Sequence, residues 1–395
     1  MTTLFTVRRL AILMVLCSFL SLAAVIFTPA YPALANQFHL SDASSQWMMT
    51  LFLLGSAFGR LPYGPLANRI GRKKTLWIGL FISLIGTVVI LGAETYLTIC
   101  LGRLIQALGC AVTLKIGYTM IGDLYHGAEA TRLLSYSMLA YAILPGIGTA
   151  VSGFLVQSMG WKGGFWFFLL FNIALILACF WLPETLKQRD VHALNIKKIV
   201  HSYGAQFKDP LLILWSSLMG LSTAVLFIFS QEAPFIAINL MGMTPAAYGV
   251  YYLIPAFGIA AGSFLTSWLS HKASSLMAML FGILMIIVGS LMMGAFLFDK
   301  WMSGWALFLP QVIIQIGDAL LYNNASSIGL TEAKDKSNAS AVMLFINGCG
   351  AVLGTYLVGT YVPRSLMTLP SVFLIITFLM LIIWFNLRAR SKHQL

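Results

Sequence analysis

The chain has 395 residues, 59% of them hydrophobic and 9% charged, with a mean hydropathy of +0.88 and a formal net charge of +12. A soluble domain of this length needs far more polar surface, so the composition excludes one and points to a polytopic membrane protein. The positive charge lies in short loops between apolar runs, which explains it without a folded basic face for nucleic acid.

Twelve apolar runs can each cross a bilayer as a helix of about 20 residues. They are predicted at 10–35, 45–67, 75–93, 96–120, 133–157, 164–182, 209–231, 246–269, 276–298, 303–328, 339–360 and 369–387. A β-barrel would show short alternating segments instead. The expected fold is all-α integral membrane, with twelve transmembrane helices in two pseudo-symmetric six-helix bundles. The first bundle covers 1–186, a connector runs over 187–208, and the second bundle covers 209–395. The first run starts after Arg8-Arg9 and ends at Ala33-Leu34-Ala35, which mimics a signal peptide. Its length and the interruptions at Pro29 and Pro32 predict an uncleaved first span.

The loops predict the orientation. With a cytoplasmic N-terminus, the cytoplasmic segments carry Arg8, Arg9, Arg69, Arg72, Lys73, Lys74, Arg132, Lys187, Arg189, Lys197, Lys198, Lys208, Lys272, Lys334, Lys336, Arg388, Arg390 and Lys392, which is 18 of the 24 Lys and Arg. The opposite loops hold only Lys162, Lys300 and Arg364. This asymmetry obeys the positive-inside rule, supports an even number of spans and predicts both termini in the cytoplasm.

The loop after the second run reads Gly64-Pro65-Leu66-Ala67-Asn68-Arg69-Ile70-Gly71-Arg72-Lys73-Lys74. It resembles the G-x-L-a-D-r-x-G-r-k loop of the major facilitator superfamily. Gly64 allows close helix contact and Gly71 a tight turn. The basic residues Arg69, Arg72 and Lys73 are expected to grip acidic groups at a helix end, Asp123 or Glu129, as a conformational latch. Asn68 stands where the family usually has Asp, which shifts weight onto Asp123. The fourth run holds Arg103-Leu104-Ile105-Gln106-Ala107-Leu108-Gly109, which resembles the family's R-x-x-Q-G-x-g pattern with Ala107 in place of Gly. Arg103 lies about 10 Å inside the span at 1.5 Å per residue, and Gln106 lies one turn away on the same face. The fifth run contains Pro145-Gly146-Ile147-Gly148-Thr149-Ala150-Val151-Ser152-Gly153 and resembles the small-residue motif of antiporter branches, with Pro-Gly where Gly-Pro is usual. Such residues let two helices rock at close distance.

Further fragments narrow the resemblance. Pro29-Ala30-Tyr31-Pro32-Ala33-Leu34, Arg132-Leu133-Leu134-Ser135-Tyr136, Trp161-Lys162 with Phe165-Trp166-Phe167, Leu182-Pro183-Glu184-Thr185-Leu186, Ala233-Pro234-Phe235 and Asn338-Ala339-Ser340-Ala341 look like the twelve-span Bcr/CflA-type drug-resistance branch. The resemblance implies the two-bundle fold, alternating access, proton coupling and a place in a bacterial inner membrane. One departure bears on coupling: Val25 stands where that branch usually has an acidic residue, four positions before the first proline of the first span. A weak internal repeat agrees with two halves, since Phe58-Gly59 precedes Lys73 as Phe257-Gly258 precedes Lys272.

Charge inside the spans is costly and marks function. The in-span groups are Arg60, Arg103 and Lys115, with Asp318 in the tenth run and Glu232 at the outer end of the seventh. Three cations facing one cavity would favour an anionic or zwitterionic substrate, such as a carboxylate metabolite or siderophore. Lipophilic drug export is the alternative. Asp318 is the expected proton carrier, with Glu232 second, and Tyr31, Tyr141, Tyr251, Tyr252 and Tyr322 are candidate cavity walls beside Arg103, Gln106, Arg60 and Lys115. Cys17, Cys100, Cys110, Cys179 and Cys349 lie within or at the edge of runs and read as packing residues. There is no HExxH, P-loop or GxSxG signature, so neither cofactor, metal nor enzyme activity is expected. The expected partners are the lipid bilayer, protons and one small molecule, with the chain acting as a monomer.

Overall fold

The computed structural model describes residues 2–391 apart from His192, His271 and Lys334. Lys334 and Lys392 of the basic set lie outside the described residues. Among the described residues there is no β-strand, and eleven helical segments are long and apolar enough to cross a membrane. They are Arg8–Gln37, Arg72–Leu91, Tyr96–Leu124, Arg132–Met159, Lys162–Trp181, Pro210–Leu240, Pro245–Leu269, Ser275–Phe298, Gly304–Glu332, Asn338–Tyr361 and Thr368–Arg390. The helix Trp47–Ile70 is the twelfth span by length and position. Arg60, Arg69 and the internal Pro62 and Pro65 make it the least apolar of the set. The spans are numbered 1 to 12 in chain order, with Trp47–Ile70 as span 2. The connector carries one short helix, Ile196–Gln206.

The two halves repeat one packing scheme. Span 3 packs on span 4 as span 9 packs on span 10, span 2 on 4 as 8 on 10, span 1 on 5 as 7 on 11, and span 3 on 6 as 9 on 12. Glycines make the closest approaches. A Cβ on Gly79 or Gly109 would enter the facing backbone between spans 3 and 4, as one on Gly282 or Gly317 would between spans 9 and 10. The repeat legible in the sequence has the same cause. Gly59 of span 2 lies against Leu108 and Ala111 of span 4, and Gly258 of span 8 lies against Val312 and Gln315 of span 10. Apolar side chains give little drive for helix association in lipid, so close backbone contact of this kind carries much of the packing.

Span 1 is broken. Its first helix ends at Val25, and a 3-10 turn at Thr28–Ala30 precedes the helix Tyr31–Gln37. Pro29 has no N–H to give the carbonyl of Val25, and Thr149 of span 5 supplies a hydroxyl at 3.3 Å instead. Span 7 loses its α geometry at the matching place, changing to a π-helical segment over Phe235–Leu240 directly after Pro234.

The halves meet along two seams. Spans 2 and 11 form one, from Gln46 Nε2 on the Thr360 hydroxyl at 2.7 Å, through Thr50 and Thr355, to Phe58 stacked edge-on to Phe345. Spans 5 and 8 form the other. Here the small residues of the Pro145–Gly153 motif find their use: Gly146 receives Leu253 and Ala256, and Gly153 lies against the carbonyl of Pro245. Both seams are closed at the end of the molecule opposite the Arg69–Lys74 loop, called here the far end as against the basic end.

Candidate functional site

A polar cluster sits at mid-depth between the halves. Asp318 is buried on span 10 and accepts a 2.5 Å hydrogen bond from Ser222 of span 7. Tyr322, one helical turn further on, lies within electrostatic range of Asp318, of Arg60 on span 2 and of Tyr141 on span 5. Asn347 of span 11 donates to the Tyr322 hydroxyl at 3.3 Å. Arg60 reaches across the seam to the carbonyl of Leu344 at 3.5 Å, and its Nε has no partner. Tyr118 of span 4 also approaches Tyr141 and Tyr322. The cluster therefore offers one guanidinium from the first half, one carboxyl from the second, and phenol rings between them. Four predicted residues, Arg60, Tyr141, Tyr322 and Asp318, come together here. Ser222, Tyr118 and Asn347 were missed, because a lone Ser, Tyr or Asn in an apolar run gives no sign of the face it occupies.

The structure corrects the expectation of three cations facing one cavity. Arg103 is fully buried inside the first bundle. Its guanidinium donates to the carbonyls of Ala23 at 3.0 Å and Ala24 at 3.4 Å and to Gln106 Oε1 at 2.6 Å, and it lies 4.1 Å from the Phe52 ring centroid. Gln106 is spent on this brace, since its amide donates to Thr87 at 2.8 Å. A buried cation without a carboxylate is tolerable here for an electrostatic reason. The carbonyls of Ala23 and Ala24 end the first helix of span 1, where orphan carbonyls and the negative end of the helix dipole meet. The rings of Phe27 and Phe52 add cation–π attraction. Lys115 lies against Gly64, its Nζ filling the space a side chain there would take. Arg60 alone of the three reaches the cluster.

Other candidates also find different places. Tyr31 is buried beside Arg103, inside the first bundle. Tyr251 packs on Gly304, Trp305 and Phe308 within the second half. Tyr252 shares a 2.6 Å hydrogen bond with Ser230. Glu232 is 1% exposed and is held at 2.8 Å by Arg364, which also binds Asp42 at 2.8 Å and Ser45 at 2.7 Å. This network ties span 7 at the far end to the segment after span 11 and to the short helix Asp42–Ser45 before span 2. Glu232 is thus engaged at the far end by Arg364 and is not part of the Asp318 cluster.

At the basic end Asn68, Arg72 and Asp123 of the expected latch come together with one more residue, Glu184, whereas Arg69 grips no acidic group among the described residues. Arg72 pairs with Asp123 at 3.5 Å and donates to Asn68 Oδ1 at 2.5 Å. Asp123 also accepts from Thr185 at 2.8 Å. Glu184 caps span 3, accepting the backbone N–H of Arg72 at 2.9 Å and of Lys73 at 3.2 Å, where the helix N-terminus favours a carboxylate. Lys73 Nζ donates to the carbonyl of Phe180 at 2.9 Å. Glu129 sits in the first turn of the helix Gly127–Met159 and is not the partner. All these latch bonds fall within the first half. Gly71 is required twice: its φ is +110°, and a Cβ there would strike the Glu184 carboxylate. We expect Gly71→Ala to cost about 1–3 kcal/mol of strain at the turn and to slow transport well below wild type. Transport assays with thermal unfolding check this, and wild-type values in both would contradict it.

The family model described as Major Facilitator Superfamily matches residues 11–348. An uncharacterized transporter of Rickettsia felis is 27% identical, with 78% of each chain covered. Multidrug resistance protein D of Escherichia coli is 22% identical over 98% of each chain. Chloramphenicol resistance protein CraA of Acinetobacter baumannii is 25% identical over 67% of this chain and 64% of its own. Among solved structures, a D-xylose-proton symporter superposes with a TM-score of 0.77 at 14% identity, covering 95% of this chain and 97% of that one.

Proposed function

The chain belongs to the major facilitator superfamily and is a multi-pass membrane transporter rather than an enzyme, and on that premise we propose that it exports a small zwitterionic organic molecule in exchange for protons. The observation that supports this reading is that Arg60 of the first half and Asp318 of the second both lie within electrostatic range of Tyr322, in one aromatic cluster between the halves. With Arg103 and Lys115 turned elsewhere, the cluster has a single cation, which suits a molecule bearing a carboxylate and a compensating positive charge better than a net anion such as a siderophore. The small-residue seam of spans 5 and 8 lets the halves rock about the cluster. At the far end the seams are closed by the Gln46–Thr360 hydrogen bond and the contact of Gly153 with Pro245. The excess of basic loops supports a reading in which the basic end, with both termini, faces the cytoplasm of a bacterial inner membrane, with the chain working there as a monomer.

Coupling follows from the neighbours of Asp318. As a carboxylate it accepts from Ser222 and sets a negative field at Tyr322 one turn away; once protonated it removes that field. A substrate cation held near Tyr322 and a proton on Asp318 would then be mutually exclusive, which is the requirement for exchange. A binding screen on purified protein with matched anionic, zwitterionic and cationic compounds tests the proposal. The zwitterion should bind best, and Arg60→Gln should weaken it about tenfold or more, as for a lost hydrogen bond to a charged group of about 1.5–3 kcal/mol. A preference for lipophilic cations, unchanged by Arg60→Gln, would overturn it in favour of multidrug export. The phenol-lined cluster and the relatives named for multidrug and chloramphenicol resistance support that second reading.

A further inference from the structure

A groove of about 750 Å³ opens on the outside of span 3 at the basic end, away from the central cluster. Arg69, Lys74 and Arg189 line its mouth, all three exposed and without a hydrogen bond or ion pair among the described residues. The carbonyl of Asn68 accepts the backbone N–H of Asp190 at 3.0 Å, and this bond brings Arg189 of the connector beside Arg69. The floor is the stripe Ile78, Phe81 and Ile85, which is 42%, 47% and 56% exposed. From Lys74 to Ile85 the helix rises about 16 Å at 1.5 Å per residue, close to the ~15 Å depth of one leaflet of a 30 Å hydrocarbon core. The indole N–H of Trp77, in the same groove, is buried and without a partner.

We propose that this groove is a binding site for an anionic diacyl phospholipid, with the phosphate held by Arg69, Lys74 and Arg189 and one acyl chain laid along Ile78, Phe81 and Ile85. Three free cations at headgroup level above an apolar trough of leaflet depth complement that lipid at both ends. A free phosphate would use the mouth and leave the trough empty. A zwitterionic lipid brings its own ammonium to three cations and is disfavoured. The site is also placed to report on the latch, because Arg69 and Asn68 belong to the loop that carries Arg72.

The test is native mass spectrometry of the purified full chain titrated with phosphatidylglycerol and phosphatidylcholine of identical acyl chains. Phosphatidylglycerol should bind at least tenfold tighter. Arg189→Gln, an exposed connector change outside the spans, should weaken it about fivefold, and Arg69→Gln, Lys74→Gln and Arg189→Gln together about a hundredfold. Neutralising Lys272, Arg388 and Arg390, three basic residues elsewhere, should leave binding within twofold. Equal binding of the two lipids, or an equal loss from the control variant, would overturn the site as nonspecific charge attraction. Complete displacement of the lipid by glycerol 3-phosphate would overturn the lipid assignment in favour of a soluble phosphate.

Discussion

Asp318→Asn is expected to abolish accumulation driven by a pH gradient while leaving substrate exchange across the membrane within a few-fold of wild type. The amide keeps the shape of the carboxyl and its contact with Ser222, but it cannot take up or release a proton. Asp318 is the mid-span acid of the cluster, and Glu232, at the outer part of span 7, is engaged by Arg364. The measurement is paired: uphill transport in proteoliposomes with an imposed pH gradient, and counterflow with none. Uphill transport at the wild-type level would remove Asp318 from coupling. Loss of both activities would show that the residue holds the cavity together instead.

The second large effect is expected at the far end. Removing Arg364 leaves Glu232 buried with its charge unpaired, and breaking such a pair costs about 3–5 kcal/mol. Both seams are closed where that pair sits, so the cost falls on the closed state and is relieved when the far end opens to water. Three kcal/mol is a factor of about a hundred in an equilibrium constant. Arg364→Ala should therefore raise the exposure of the seam to the far side, read as faster labelling of a Thr360→Cys reporter by an impermeant maleimide. Adding Glu232→Gln should reverse most of the increase, because a neutral amide loses less on burial. A labelling rate that stays at wild type in Arg364→Ala would rule out this role for the pair.

What the sequence disclosed follows from which interactions are local. The spans are legible because the bilayer imposes one length and one polarity on each, and the latch loop because Gly71 and its basic neighbours act within a few residues of one another. Asp318 stands out because no loop explains it. Arg103 shows the limit. Its depth is readable from the distance to the span end, but its direction is not, since its partners are backbone carbonyls 79 and 80 residues earlier and carbonyls have no sequence signature. Arg364 is hidden for the opposite reason. It reads as one loop charge among many, and only the fold brings Glu232, Asp42 and Ser45 around it. Glu184 likewise reads as part of a branch motif, and its capping of span 3 depends on where the chain returns after span 6.

The broken first span has a consequence for how the protein is made. Its carbonyls at Ala23, Ala24 and Val25 receive their side-chain donors from Arg103 and Thr149, which lie on spans 4 and 5. A ribosome delivers span 1 to the membrane long before those donors exist, and lipid offers none in their place. During that interval the segment is an incomplete unit, better retained beside the insertion machinery than released. We expect nascent chains stalled before Tyr96 to crosslink to the insertase through span 1, and chains stalled after Met159 to have left it. Release of the shorter chains would contradict this order of assembly.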